Sequence, residues 1–232
     1  MLSLIEKNSP KDIRNEAYRT LRTNFQFFTK DKNVKLLVLT STESGEGASV
    51  TARNLALSFS LSGKKVLIID CDLRKPSIHE YFNVTNQIGF ANLIIEKLTY
   101  KDVIQEYSDN LHIITAGKTT IHSAELLNTE YISPIFQQLQ KQYDIILIDS
   151  PPVITYADAQ LLSAVSDGVI MVVSIGKTHK KLCQKAIHLL QNVNADIIGI
   201  VLNKNIKKLQ KYYKKNKSYS YKKIEKKKVR EN

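Results

Sequence analysis

Cysteine is scarce in this chain. Its 232 residues contain only Cys71 and Cys183. Two are too few for a disulfide framework, and neither has a metal-ligand spacing. That pattern predicts a reducing compartment. Long hydrophobic runs are missing as well, since no apolar stretch approaches the roughly 20 residues of a membrane span. The first residues carry charges where a signal peptide needs its apolar core. There is no internal repeat. The five histidines, His79, His112, His122, His179 and His188, are scattered. No two of them suit a metal site or a catalytic triad.

What is present is a core-forming composition with a lopsided charge. Hydrophobic residues make up 43% of the chain, enough for a substantial interior, and the net charge is +12. Such a charge suggests a nucleic-acid or anionic-membrane binder. Its distribution argues otherwise. Residues 204–232 hold 12 Lys and 1 Arg against 2 Glu, a net +11. The other 203 residues hold 21 basic and 20 acidic groups. The body is nearly neutral, and the basicity belongs to a tail.

The pattern along the chain predicts three regions. Residues 1–33 form a polar N-terminal segment with a helix over Lys11 to Thr29, its Tyr18, Leu21, Phe25 and Phe28 at helical spacing. Of these, Phe25 and Phe28 read as core, with a partner surface as the alternative. Residues 34–204 form the main domain, and residues 205–232 a basic, Tyr-rich, flexible tail. In the main domain, apolar runs at 35–40, 66–70, 111–115, 144–149, 168–174 and 197–202 read as strands. Helical stretches at 49–62, 123–142, 158–166 and 177–192 alternate with them. This is an α/β pattern: a mainly parallel sheet sandwiched by helices. Ligands of such sheets bind beyond the carboxyl ends of the strands.

Chemistry-bearing residues fall at those ends. The first strand runs into Ser41-Thr42-Glu43-Ser44-Gly45-Glu46-Gly47-Ala48-Ser49-Val50. Gly45 and Gly47 at a helix start can aim backbone N–H groups at an anion, and the helix dipole adds to the attraction. Against the phosphate-loop pattern G-x-x-x-x-G-K-[ST], Gly47 and Ser49 match. Ala48 stands at the lysine position and Thr42 at the first glycine. An ordinary strand–helix turn would fit this stretch alone. The second strand ends in Asp70-Cys71-Asp72 and a later one in Asp149-Ser150-Pro151-Pro152. Asp70 and Asp72 flank one residue and point the same way on an extended strand. Acids at two neighbouring strand ends, with the Ser49 hydroxyl, suit Mg²⁺. One carboxylate can then serve metal or water while another accepts a proton. Cys71, between two acids, keeps its proton and reads as packing, and Cys183 reads as core.

These motifs resemble the cytoplasmic kinase domain of bacterial tyrosine kinases (BY-kinases) of the capsule and exopolysaccharide type, a P-loop NTPase with a partition-ATPase-like fold. The resemblance covers about residues 13–205. It rests on Glu16-Ala17-Tyr18-Arg19-Thr20-Leu21-Arg22 (the family's E-x-x-R-x-x-R), the Walker A region Thr40 to Ala56, and the Walker A′ segment Ile68 to Pro76. It also rests on Walker B at Ile148 to Pro152, on Asp158-Ala159-Gln160 and on Val201-Leu202-Asn203-Lys204. It implies ATP- and Mg²⁺-dependent phosphate transfer to tyrosine. Gly45, Glu46, Gly47, Ala48, Ser49, Val50 and Asn203 would bind ATP or ADP, with Asn203 near adenine. Ser49, Asp70 and Asp149 would hold the metal. Asp72 would activate the tyrosine hydroxyl, and Arg74 would steady phosphate charge or an interface. The phosphoacceptors would be Tyr212, Tyr213, Tyr219 and Tyr221, four of the chain's eleven tyrosines. Glu16, Arg19 and Arg22 would support ring-like self-association. Further implied partners are a transmembrane activator or adaptor of the polysaccharide co-polymerase type and proteins of polysaccharide synthesis. That places the chain in the cytoplasm, peripheral at the inner face of the membrane.

Two departures stand out. Ala48 cannot carry the charge that the P-loop lysine lays along the phosphates, and Val50 replaces a Thr. Ala48 is either an engineered replacement or the mark of a naturally degenerate kinase, and in both cases catalysis is expected to be impaired. The Pro-rich loop expected before Glu125-Leu126-Leu127 is replaced by Gly117 to Ser123, without prolines. Competing functions are a partition-type ATPase switch, a pseudokinase scaffold, and a tail-driven nucleic-acid or lipid module. The first lacks support from an early loop lysine, because the loop reads Thr42-Glu43-Ser44. The last has no recognition fold beside it, so anionic membrane contact would be accessory and no specific nucleic acid is expected.

Overall fold

A computed structural model describes residues 13–118 and 123–204 of the chain. The tail, with its four tyrosines, and residues 119–122 lie outside the described residues. In chain order the elements are α1 (Ile13–Phe28), β1 (Leu36–Ser41), α2 (Ala48–Ser60), β2 (Val66–Asp70), α3 (Ile78–Phe82), α4 (Phe90–Ile95), α5 (Tyr100–Val103), β3 (Gln105–Ser108), β4 (Leu111–Ile114), α6 (Ser123–Leu126), α7 (Thr129–Gln140), β5 (Ile145–Asp149), α8 (Asp158–Ala164), β6 (Gly168–Ser174), α9 (Lys180–Gln191) and β7 (Ile197–Asn203).

The strands join in one sheet of order β3-β4-β2-β5-β1-β6-β7. All neighbours are parallel except β3 and β4. Strands β1, β2, β5 and β6 are buried along their whole length. That is why they read as unbroken Val, Ile and Leu rather than as alternating patterns. Successive side chains go to opposite faces. Leu36, Val38, Leu67, Ile69, Ile146 and Ile148 join a core with Ile132, Phe136 and Leu139 of α7. Leu37, Leu39, Val66, Ile68 and Leu147 join another with Ala52, Leu55, Ala56 and Phe59 of α2. The helices therefore cover both faces, as the sequence pattern predicts.

Helix α1 lies on α2. Phe25 meets Phe59 edge to face at 5.5 Å, and Arg22 Nη1 donates to the Ser58 carbonyl at 2.6 Å. Phe28 departs from the expected core role and is 70% exposed. Thr29, four residues after Phe25, is the next to face inward, so Phe28 turns out to solvent. Three further differences concern local structure. The stretch 123–142 divides into α6 and α7, because Asn128 turns out of the helix and its side chain accepts from Glu130 N at 3.0 Å. Strand β3 is polar and half-exposed, an edge strand without the apolar signature. The short helices α3, α4 and α5 do not last long enough to display a 3.6-residue period. Cys71 is buried as expected, whereas Cys183 is only half-buried against the core. No helix among the described residues is long and apolar enough to cross a membrane.

Candidate functional site

The fold brings the glycine loop and the acidic strand ends to one place. Strands β2 and β5 are adjacent, and Asp70 pairs in register with Asp149. Strand β1 lies on the other side of β5, with Leu39 in register with Asp149. The segment after β5 is fastened to β1: Ser150 N donates to the Leu39 carbonyl at 3.1 Å and Val153 N to the Ser41 carbonyl at 2.9 Å. Both carboxylates are thereby held beside the mouth of the loop.

The loop itself turns on two glycines. Gly45 has φ 78° and Gly47 φ 101°, a left-handed backbone that side chains rarely adopt. Gly47 is the N-cap of α2 and offers no side-chain cap. The first N–H groups of the helix are therefore left for a ligand. A β-carbon at Gly47 would also collide with the Asn203 amide. Glu46 is buried and works from behind the loop. Its carboxylate accepts from Thr42 N at 2.9 Å and Glu43 N at 3.1 Å, and from the Thr178 hydroxyl. Ala48 is buried, while Ser49 and Val50 are half-buried.

The acids differ in environment. Asp70 is fully buried and accepts from the N–H groups of Asp72 (3.1 Å), Ser77 (2.9 Å) and Ile78 (3.0 Å). Burial nevertheless outweighs those bonds and pushes its pKa up to about 7. Asp149 is also fully buried, and neither carboxylate oxygen has a hydrogen-bond partner of good geometry. Burial first, and then the nearby Asp70, raise its pKa well above the usual carboxylate range; the Ser49 hydroxyl beside it works weakly the other way. Asp72 is half-buried, accepts from Lys75 N at 3.0 Å, and is raised by burial. Two unbonded, buried oxygens beside a second carboxylate and a hydroxyl fit a hard divalent cation. Among the described residues there is no cluster of three or more His, Cys, Asp or Glu that could hold a metal.

Other predicted residues have structural partners. Arg74 forms a two-pronged pair with the buried Asp158 at 3.1 and 3.2 Å and lies over the Tyr156 ring at 4.3 Å. Asn203 Nδ2 donates to the Glu46 carbonyl at 2.8 Å, and Lys204 Nζ donates to the Gly45 carbonyl. Glu16 and Arg19 form an exposed pair at 3.6 Å, and Arg22 is tied to α2. Thr178 and Lys204 were given no role by sequence reasoning. Their contacts to the loop span 132 and 159 residues, so although Lys204 falls in the Val201–Lys204 motif, nothing local shows that either residue reaches the loop.

Comparison with known proteins gives the chain's family. Residues 32–232 match the ParA family model, described as NUBPL iron-transfer P-loop NTPase. The chain is 37% identical over 211 residues to the tyrosine-protein kinase YwqD of Bacillus subtilis, covering 90% of this chain and 88% of that protein. It is similar to the crystal structure of the chimerical protein CapA2B2, with TM-score 0.80, 34% identity, and 86% and 88% of the two chains covered. It is also similar to the kinase domain of the Escherichia coli tyrosine kinase ETK, with TM-score 0.81, 27% identity, and 84% and 77% covered.

Proposed function

Because the chain belongs to the bacterial tyrosine-protein kinases of the P-loop NTPase class, we propose that it binds ATP at the Gly45–Val50 loop and transfers the γ-phosphate to tyrosine. The observation that carries this reading is the register pairing of Asp70 with Asp149 beside a glycine loop that ends in an uncapped helix. The loop N–H groups receive the phosphates. Asp149, Asp70 and Ser49 hold Mg²⁺, which supplies charge neutralisation on the phosphates when bound. Asp72, less buried than its neighbours, accepts the proton of the attacking tyrosine hydroxyl as the O–P bond forms and ADP leaves. Arg74, locked to Asp158, braces this segment rather than reaching for phosphate.

The acceptors in this reading are Tyr212, Tyr213, Tyr219 and Tyr221 of a neighbouring copy. Self-association uses the exposed Glu16–Arg19 face of α1, while Arg22 fixes that helix to α2. A transmembrane activator of polysaccharide synthesis brings the chain to the inner membrane face and completes its activity.

Ala48 lowers the rate. Loss of one transition-state charge contact typically costs roughly 10²–10³ in rate. Phosphotyrosine blotting of this chain beside Ala48→Lys, with ATP and Mg²⁺, tests this. A strong signal only with lysine is expected; equal strong signals overturn the impairment, and no signal from either chain, even with an activator, overturns the kinase reading. A pseudokinase scaffold is the second reading, favoured by Ala48 alone.

A further inference from the structure

The loop holds a charge imbalance. Ala48 brings no cation to it, and Glu46 places a carboxylate directly behind it. A nucleoside triphosphate adds several more negative charges. The loop is nevertheless clamped from the edge strand β7, two strands from β1. β7 ends at Asn203, and Lys204 follows with φ 67°, a left-handed turn stabilised by its N–H donating to Asn203 Oδ1 at 2.7 Å. That turn carries the Lys204 side chain back over the loop, where its ammonium donates to the Gly45 carbonyl. Asn203 beside it holds the Glu46 carbonyl and abuts Gly47. Two consecutive residues of β7's end therefore grip three consecutive loop residues.

The two contacts differ in kind. Asn203 is half-buried and neutral, suited to holding the loop. Lys204 is exposed, and its acceptor is a neutral carbonyl. A phosphate oxygen is a stronger acceptor for an ammonium than a neutral carbonyl is. We propose that Lys204 supplies, from the end of β7, the phosphate-facing positive charge that position 48 lacks, exchanging the Gly45 carbonyl for an oxygen of the bound nucleotide's phosphate chain. This rests on the nucleotide-binding reading above.

Calorimetric titration of the full chain with Mg²⁺ and ATP tests it. The variants are Lys204→Gln, Lys204→Arg and, as a charge control, Lys141→Gln. Lys141 is exposed and lies near the start of β5, at the opposite end of that strand from the loop. Lys204→Gln and its parent are also compared in the Ala48→Lys background. Lys204→Gln is expected to weaken ATP about tenfold or more. Lys204→Arg should retain most of the affinity and Lys141→Gln all of it. The loss should shrink when Ala48→Lys restores the charge, and the ligand-free urea midpoint should not move. Equal ATP affinity of parent and Lys204→Gln overturns the proposal, as does an equal loss in Lys141→Gln. ATP binding by the Ala48→Lys chain but not by the parent overturns it while leaving the nucleotide reading intact. No binding by either overturns the nucleotide reading itself.

Discussion

Asp149 has two buried carboxylate oxygens, neither with a hydrogen-bond partner of good geometry and with the Ser49 hydroxyl beside them. A buried, unpartnered carboxylate is destabilising unless a cation or a proton joins it. Asp149→Asn is therefore expected to stabilise the metal-free protein by about 1–2 kcal/mol while abolishing Mg²⁺-dependent activity. Urea denaturation in chelator, beside an activity assay in the Ala48→Lys background, checks both halves. Asp70 adds a pH dependence of definite sign. Its pKa is about 7 in the folded protein, against about 4 for a free aspartate. Between those values the folded state keeps a proton that the unfolded state releases. Metal-free stability should therefore fall as pH rises from about 4 to 7, and Asp149, raised by the same burial, adds to the fall. Thermal melts in chelator across that window should show the fall, and Asp70→Asn should make it shallower. Both acids were legible in the sequence, because each ends an apolar run and needs only its neighbours to be recognised. Thr178 and Lys204 were not, because their roles exist only after distant strands close on the loop.

Among the elements, α1 shows how one helix divides its aromatic residues. Phe25 is buried against Phe59, whereas Phe28 is open to water. Phe25→Ala should destabilise the protein by about 3–4 kcal/mol, and Phe28→Ala should change stability by no more than about 0.5 kcal/mol. Chemical denaturation of the two variants decides the matter, and similar losses would mean that α1 docks differently. Helical spacing located this helix but could not rank its apolar residues, because the docking face depends on where α2 lies. The central strands were readable for the opposite reason: buried on both faces, they carry their signature in composition alone. Strand β3 is an edge strand paired on one side only, and its Gln105-Glu106-Tyr107-Ser108 looks like a loop until β4 pairs with it.

At the scale of the whole molecule, charge and connectivity dominate. Residues 204–232 carry +11 of the chain's +12. Phosphorylation of their four tyrosines would add about −6 to −8 and cancel most of that charge. Peptide mass spectrometry of the Ala48→Lys chain after incubation with ATP and Mg²⁺ should place phosphates in residues 205–232. The modified chain should then bind anionic vesicles more weakly than the unmodified one. Phosphates confined to residues 1–203 would overturn this charge switch. The position of β1 carries a different consequence, for synthesis on the ribosome. This strand is made early, yet both its partners come from the second half of the chain: Leu36 pairs with Ile146, and Leu37 with Gly168. A nascent chain cut short before β5 exposes Leu36-Leu37-Val38-Leu39 with both edges open, a segment prone to pair with other chains. Truncated translation products should aggregate through β1, and the glycine loop can be set only when most of the protein has been made.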